Sequence, residues 1–131
     1  MIKEVAFIGY PVTDIPRARA FYEGVLGLKA SLAHEVDPAA GTWWIEYDIA
    51  GVALAVSNAW PPSGQSGPGA ALEVDRIDDV LQKLQSQGVT VTYGPMDSPV
   101  CRFFGIKDPD GNDLTIHQRK AGCSPIENPK S

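Results

Sequence analysis

The sequence predicts an α+β fold of two βαβββ modules, whose curved mixed sheets surround a cleft and carry their helices on the convex side. Three observations lead there. The apolar pattern reads strand, helix and three strands, and then reads so again. The letters repeat with it: Val12-Thr13-Asp14-Ile15 answers Val74-Asp75-Arg76-Ile77, and Gly27-Leu28 answers Gly88-Val89. Between the halves, residues 60–69 are rich in Pro, Gly and Ser, a loop too short to part independent domains. The expected organisation is one domain over residues 1–120. Module one covers about 3–58, the loop 59–68 and module two about 69–120, followed by a tail at 121–131.

Each element has a local reason. Residues 5–12 are mostly apolar and β-rich, a buried strand. Asp14 can accept from the first helical amides, and Pro16 fits the first turn, where its missing N–H costs nothing. Ile15, Ala18, Phe21, Tyr22 and Val25 then recur at helical spacing, and Gly24 or Gly27 can end the helix. Strands follow at about 29–35, 42–49 and 52–58. The tight Ala50-Gly51 turn makes a hairpin of the last two. In the second half, 70–74 is a strand. Asp75 can cap a helix through Ile77, Val80, Leu81 and Leu84, which Gly88 closes. Strands are expected at about 89–93, 102–107 and 113–118.

Composition excludes several functions. A net charge of −5 argues against nucleic-acid binding, which needs a basic face. No long apolar run suits a membrane span, and the N-terminus has no signal-peptide pattern, so the expected location is the cytoplasm. Cys101 and Cys123 lack the spacing of a zinc site and read as two free thiols in a reducing compartment. There is no P-loop, dinucleotide fingerprint, HExxH or nucleophile elbow.

Three segments carry a family resemblance. Pro11-Val12-Thr13-Asp14 with Ala20-Phe21-Tyr22 and Leu26-Gly27-Leu28 resembles the first strand and helix of the vicinal oxygen chelate superfamily, which holds glyoxalases, bleomycin-resistance proteins and extradiol dioxygenases. Ala71-Leu72-Glu73-Val74-Asp75 with Gly88-Val89 resembles the start of its second module. Asp108-Pro109-Asp110-Gly111-Asn112 matches its turn before the last strand. Taken alone, that turn is only good turn chemistry.

The resemblance implies a divalent metal held by His and Glu side chains on the first and last strands of each module, chelating two substrate oxygens. Here those positions hold Phe7, an alanine (Ala53 or Ala55), Gly69 and Thr115, which make no conventional ligand set. No metal and no other cofactor is therefore expected. Strand alternation puts Phe7 and Gly9 toward the cleft, with Ile8, Tyr10 and Val12 toward the helix. It also puts Trp44, Glu46, Ala55, Phe103, Thr115 and His117 on the cleft side.

His117 is the candidate catalytic residue, as a general base or a ligand-orienting donor. The alternative is an inert strand-end histidine. Glu46 could hold a cationic group or be a solvated edge carboxylate. Phe7, Trp44 and Phe103, with Trp60 in the loop, could wall a small-molecule pocket, stack on a planar or cationic ligand, or fill the cleft or a dimer interface. His34 reads as surface.

The leading expectation is a metal-independent, bleomycin-resistance-like protein that binds an aromatic or apolar small molecule, through Phe7, Trp44, Glu46, Ala55, Gly69, Phe103 and Thr115. Glyoxalase or dioxygenase activity is not expected. A homodimer is expected from the resemblance. Two rivals stay open. One is a metal-free isomerase, lyase or hydrolase using His117, perhaps with Glu46. The other is a degenerate interaction module.

Overall fold

The computed structural model describes residue 1, residues 4–65 and residues 67–121. Cys123 and the tail from residue 122 lie outside the described residues. In chain order the elements are β1 (Phe7–Pro11), α1 (Ile15–Arg19), a π-helical segment (Ala20–Val25), β2 (Ala30–Asp37), β3 (Thr42–Ile49) and β4 (Val52–Ser57), then β5 (Ala70–Glu73), α2 (Ile77–Ser86), β6 (Val91–Asp97), β7 (Cys101–Lys107) and β8 (Asp113–Arg119). The order is βαβββ twice. Each half builds one mixed four-stranded sheet: sheet A in the order β1-β4-β3-β2, and sheet B in the order β5-β8-β7-β6. The first strand of each half runs parallel to the last, and the other pairings are antiparallel. The α+β class and the duplicated module agree with the sequence. No helix among the described residues is long and apolar enough to cross a membrane.

The chain resolves into two compact units. Unit 1 is Met1–Gly67 together with Asp108–Asn112, and unit 2 is Pro68–Lys107 with the chain from Asp113. Unit 1 is thus discontinuous in sequence, because it includes the turn between β7 and β8. The reason is a dense set of bonds. The Asp108 carboxylate accepts from the Tyr22 hydroxyl at 2.9 Å, the Asn112 Nδ2 at 2.8 Å and the backbone N–H groups of Asp110 and Asn112 at 2.9 Å. Asn112 Nδ2 also donates to the Pro11 carbonyl at 2.7 Å. Asp110 Oδ1 accepts from the Thr13 hydroxyl at 2.6 Å and from Arg17 at 2.8 Å.

In unit 1, register assigns the faces. Ile8 pairs with Leu54, Tyr10 with Val56, Ile45 with Val56 and Tyr47 with Leu54, so these residues share the face that carries the helix. Tyr10, Ile45, Tyr47, Leu54 and Val56 are buried there with Ala18, Phe21 and Tyr22. The Tyr22 and Tyr47 rings stack at 5.9 Å. Ile8 has the expected facing but remains partly exposed, because β1 is an edge strand. In unit 2, Leu114, Ile116, Phe104 and Ile106 are buried, as are Ile77 and Leu84 of α2.

Local chemistry explains the boundaries. Asp14 accepts from the Arg17 N–H at 3.0 Å, and a proline occupies the first turn. Ala50 and Gly51 both have positive φ, 52° and 91°, which a two-residue turn between Ile49 and Val52 requires. Two expectations need correction. The first helix does not run regularly to Val25. From Ala20 it widens into π geometry, with the Leu26 N–H bonded to the Phe21 carbonyl, and Val25 is only half-buried. The extra residue per turn rotates the stripe, so Phe21 and Tyr22 carry the burial. Asp75 does not cap α2. The N-cap is Arg76 and the Ile77 N–H donates to Gln118 Oε1 of β8 at 2.8 Å. The strands also extend past their expected ends, β2 to Asp37 and β6 to Asp97.

A charged network sits on the helix of unit 1. Glu23 accepts from Arg19 at 2.6 Å and from the Tyr47 hydroxyl at 2.9 Å. The Arg19 bond chiefly holds the Glu23 carboxyl below its ordinary value of 4.5, against a smaller opposing effect of burial. Its stabilising contribution is therefore complete above that value and is lost as pH falls through the lowered folded-state value. Glu23→Gln is expected to flatten the acid limb of the stability curve below about pH 4.5. Urea unfolding across pH 3 to 7 (roughly the window of carboxylate titration) checks it.

Candidate functional site

The helix-free face of sheet A is aromatic. Phe7 pairs with Ala53, Gly9 with Ala55, Trp44 with Ser57 and Glu46 with Ala55, so these side chains share one face. Ala55 is fully buried. Phe7 meets Trp44 edge-on at 4.8 Å, and Trp60 tilts against Trp44 at 6.3 Å. Gly9 is the floor beneath them. A Cβ there would stand 3.3 Å from Trp60 Cη2 and 3.4 Å from Phe7 Cε1. Trp44 Nε1 donates to Glu46 Oε2 at 2.7 Å. That bond leaves the carboxylate beside the rings, where it adds negative charge to an electron-rich surface.

The helix-free face of sheet B mixes polar and aromatic groups. Glu73 pairs with His117, Ala71 with Thr115, Phe103 with His117 and Gly105 with Thr115. Glu73 Oε1 lies 2.6 Å from His117 Nδ1. Its other oxygen accepts the Arg119 backbone N–H at 2.7 Å, and the Arg119 guanidinium approaches at 3.5 Å. Partial burial works against the charge on Glu73. The Arg119 N–H, His117 and the guanidinium outweigh it and hold the carboxyl below its usual range. The Tyr93 hydroxyl bonds Thr115 Oγ1 at 2.6 Å, and its ring meets Phe103 at 6.2 Å.

Tyr93 lies on Gly105, where a Cβ would overlap its ring. Gly105→Ala is thus expected to drive the ring off the sheet and break the Thr115 bond. The ring is 42% exposed and can swing out, so the cost in stability is expected to be about 1 kcal/mol or less. Denaturant midpoints and the Tyr93 ring resonances check both halves.

The candidate residues therefore fall into two groups. Phe7, Trp44, Glu46 and Ala55 come together in unit 1, joined by Gly9 and Trp60. Phe103, Thr115 and His117 come together in unit 2, joined by Glu73 and Tyr93. Gly69 belongs to neither and lies exposed just ahead of β5. His34 is exposed on β2, and Cys101 is a free thiol. Glu73 escaped the sequence reading. Only the pairing of β5 with β8 brings it alongside His117.

The positions that would hold a metal do not fit one. Phe7, Ala55, Gly69 and Thr115 offer a single hydroxyl, which is already bonded to Tyr93. Among the described residues no three His, Cys, Asp or Glu side chains gather into a possible ligand set.

Paired βαβββ sheets with helix-free faces that present aromatic and a few polar groups define a class of small two-module α+β proteins. The chain belongs to the Glyoxalase/Bleomycin resistance protein/Dioxygenase superfamily, whose model matches residues 4–116. Among solved structures it is similar to TnmS3, an antibiotic binding protein from Streptomyces sp. CB03234. The identity is 27% and the TM-score 0.74, over 91% of this chain and 98% of that one. A glyoxalase/bleomycin resistance protein from the same organism is 28% identical, with a TM-score of 0.71 over 88% and 100% of the two chains. The fosfomycin resistance protein FosX from Listeria monocytogenes shares the fold at 16% identity, with a TM-score of 0.72 over 90% and 93%. No curated protein matches the chain.

Proposed function

We propose that this chain is a metal-independent small-molecule-binding protein that holds a planar aromatic ligand, of the antibiotic kind, on the helix-free face of sheet A. The observation that carries the proposal is the cluster of Phe7, Trp44 and Trp60 over Gly9. Aromatic rings stack on such a surface, and Glu46 at its side favours a ligand that also bears positive charge. The net charge of −5 acts in the same direction. The 27% identity to an antibiotic binding protein supports the ligand class. Lack of donor atoms at Phe7, Ala55 and Gly69 supports metal independence.

The protein acts as a homodimer in the cytoplasm on this reading. Val5, Phe7 and Ile8 leave apolar surface at the β1 edge of sheet A, and an uncovered apolar edge is commonly closed by a second chain. The test is titration with 9-aminoacridine and with bleomycin, read by quenching of tryptophan fluorescence before and after exhaustive chelation. Saturable binding unchanged by the chelator is expected. Native mass spectrometry and elemental analysis of the same sample should report a dimer without stoichiometric metal. Binding that appears only after a divalent ion is added would overturn the proposal.

A further inference from the structure

We propose that Glu73 and His117 form a proton-accepting pair on the helix-free face of sheet B, which takes the proton of an acidic hydroxyl, phenolic or enolic, on a bound small molecule. The site lies in unit 2 and does not depend on the aromatic cluster of sheet A.

The geometry starts from register. β5 and β8 run parallel with Glu73 directly beside His117, and the carboxylate reaches Nδ1 at 2.6 Å. Glu73 is itself held, because its second oxygen takes the Arg119 backbone N–H. An ionised carboxylate accepts only, so Nδ1 carries a proton, and in the neutral ring it is Nε2 that keeps the lone pair. Among the described residues Nε2 has no hydrogen-bond partner. The ring is about a quarter exposed, enough for a ligand to reach it.

The surroundings select an aryl hydroxyl. Phe103 is the direct cross-strand neighbour of His117 on β7, and the Tyr93 ring stands against Phe103. Cross-strand neighbours stand about 5 Å apart, so an aryl group resting on Phe103 brings its hydroxyl to the imidazole. The step is a balanced proton transfer. The ligand O–H bond breaks, an N–H bond forms at Nε2, and the oxygen keeps the electron pair as a phenolate or enolate. The Glu73 carboxylate offsets the imidazolium charge. Other ionisable groups on this face are Arg119 and Asp113 of β8, Cys101 and Lys107 of β7 and Tyr93 of β6. Lys107 and Asp113 pair with each other at 2.6 Å. Arg119 is also cationic and sits against Glu73, so it tempers the effect of that carboxylate. His117 is the proton acceptor, and Glu73 is a positioning residue.

The probe is 4-nitrophenol, whose phenolate absorbs well to the red of the phenol, with 4-nitroanisole as the analogue lacking the proton. Both are titrated into the full-length protein about one pH unit below the phenol's own pKa. A saturable phenolate band is expected, with the apparent pKa of the bound phenol lowered by about one unit, a tenfold shift in its ionisation. Binding of 4-nitroanisole should be at least tenfold weaker. His117→Gln should abolish the band. Glu73→Gln should return the bound phenol's pKa toward its free value, a readout that a merely structural tie between β5 and β8 would not move. Circular dichroism monitors folding of both variants, and if either fails to fold, the wild-type pH profile with the two probes decides. Absence of saturable 4-nitrophenol binding, equal binding of the two probes, or a band that survives in His117→Gln would overturn the proposal. Failure of the acridine titration would instead count against the sheet A reading alone.

Discussion

Asp108→Ala is expected to destabilise the protein by about 3 kcal/mol and to lower its melting temperature by about 10 °C. Asp108 is 5% exposed, and its carboxylate accepts four hydrogen bonds. Three come from its own turn, where water can replace part of what is lost. The fourth comes from Tyr22, a fully buried residue whose phenol is pushed far above its ordinary value by burial first and by Asp108 next. Without the carboxylate that hydroxyl keeps no acceptor, and an orphaned buried donor costs about 1–3 kcal/mol. Loosening of the turn adds the rest. Tyr22→Phe alone should cost only about 1 kcal/mol, because it removes the donor as well as the bond. The double variant should then lose less than the sum of the two, with a coupling energy of about 1 kcal/mol. Guanidinium unfolding of the four proteins measures the cycle. An Asp108→Ala protein within 1 kcal/mol of the parent (a third of the expected effect) would show that the turn is not what holds Tyr22.

Trp44→Ala is expected to weaken 9-aminoacridine binding by about thirtyfold, the loss of roughly 2 kcal/mol that a central aromatic anchor commonly carries. Trp44 is the middle ring of the cluster, meeting Phe7 on one side and Trp60 on the other, so its removal takes away both ring contacts. Trp44→Phe separates two contributions. A phenyl ring restores a stacking surface but has no N–H for Glu46, whose carboxylate then swings free. Affinity for a cation should stay within about threefold of the parent, since an unbound carboxylate near the ring offsets the smaller π-face. Isothermal titration of the two variants checks both figures. If Trp44→Ala binds as the parent does, the aromatic face is not the binding surface.

Much of this architecture could be read from the letters, and the omissions have physical causes. Alternation placed Ile8, Tyr10 and Val12 toward the helix and Phe7, Trp44 and Glu46 opposite, because a pleated strand leaves only two choices per residue. The repeat of Val12-Thr13-Asp14 in Val74-Asp75-Arg76 exposed the duplicated module. The π-helical widening after Ala20 was invisible, since Phe21, Tyr22 and Val25 satisfy a regular helix just as well. The α2 cap was misplaced at Asp75, because the acceptor is Gln118, distant in sequence. Glu73 and Tyr93 were missed for the same reason: their partners, His117 and Thr115, are set by strand register, which one sequence does not reveal. Asp108-Pro109-Asp110-Gly111-Asn112 read as a turn and as part of the family resemblance, but its bonds to Tyr22, Pro11 and Thr13 could not be read, because they join residues about a hundred positions apart.

That last feature governs the order in which the molecule can be made. A ribosome releases residues 1–67 well before 108–112, so the N-terminal sheet emerges with the Tyr22 hydroxyl still awaiting its acceptor. The early half is incomplete until residues 108–112 have been translated. A fragment ending at residue 67 should consequently behave as an unfinished protein, and a synthetic peptide carrying Asp108-Pro109-Asp110-Gly111-Asn112 supplied in trans is the piece that would finish it.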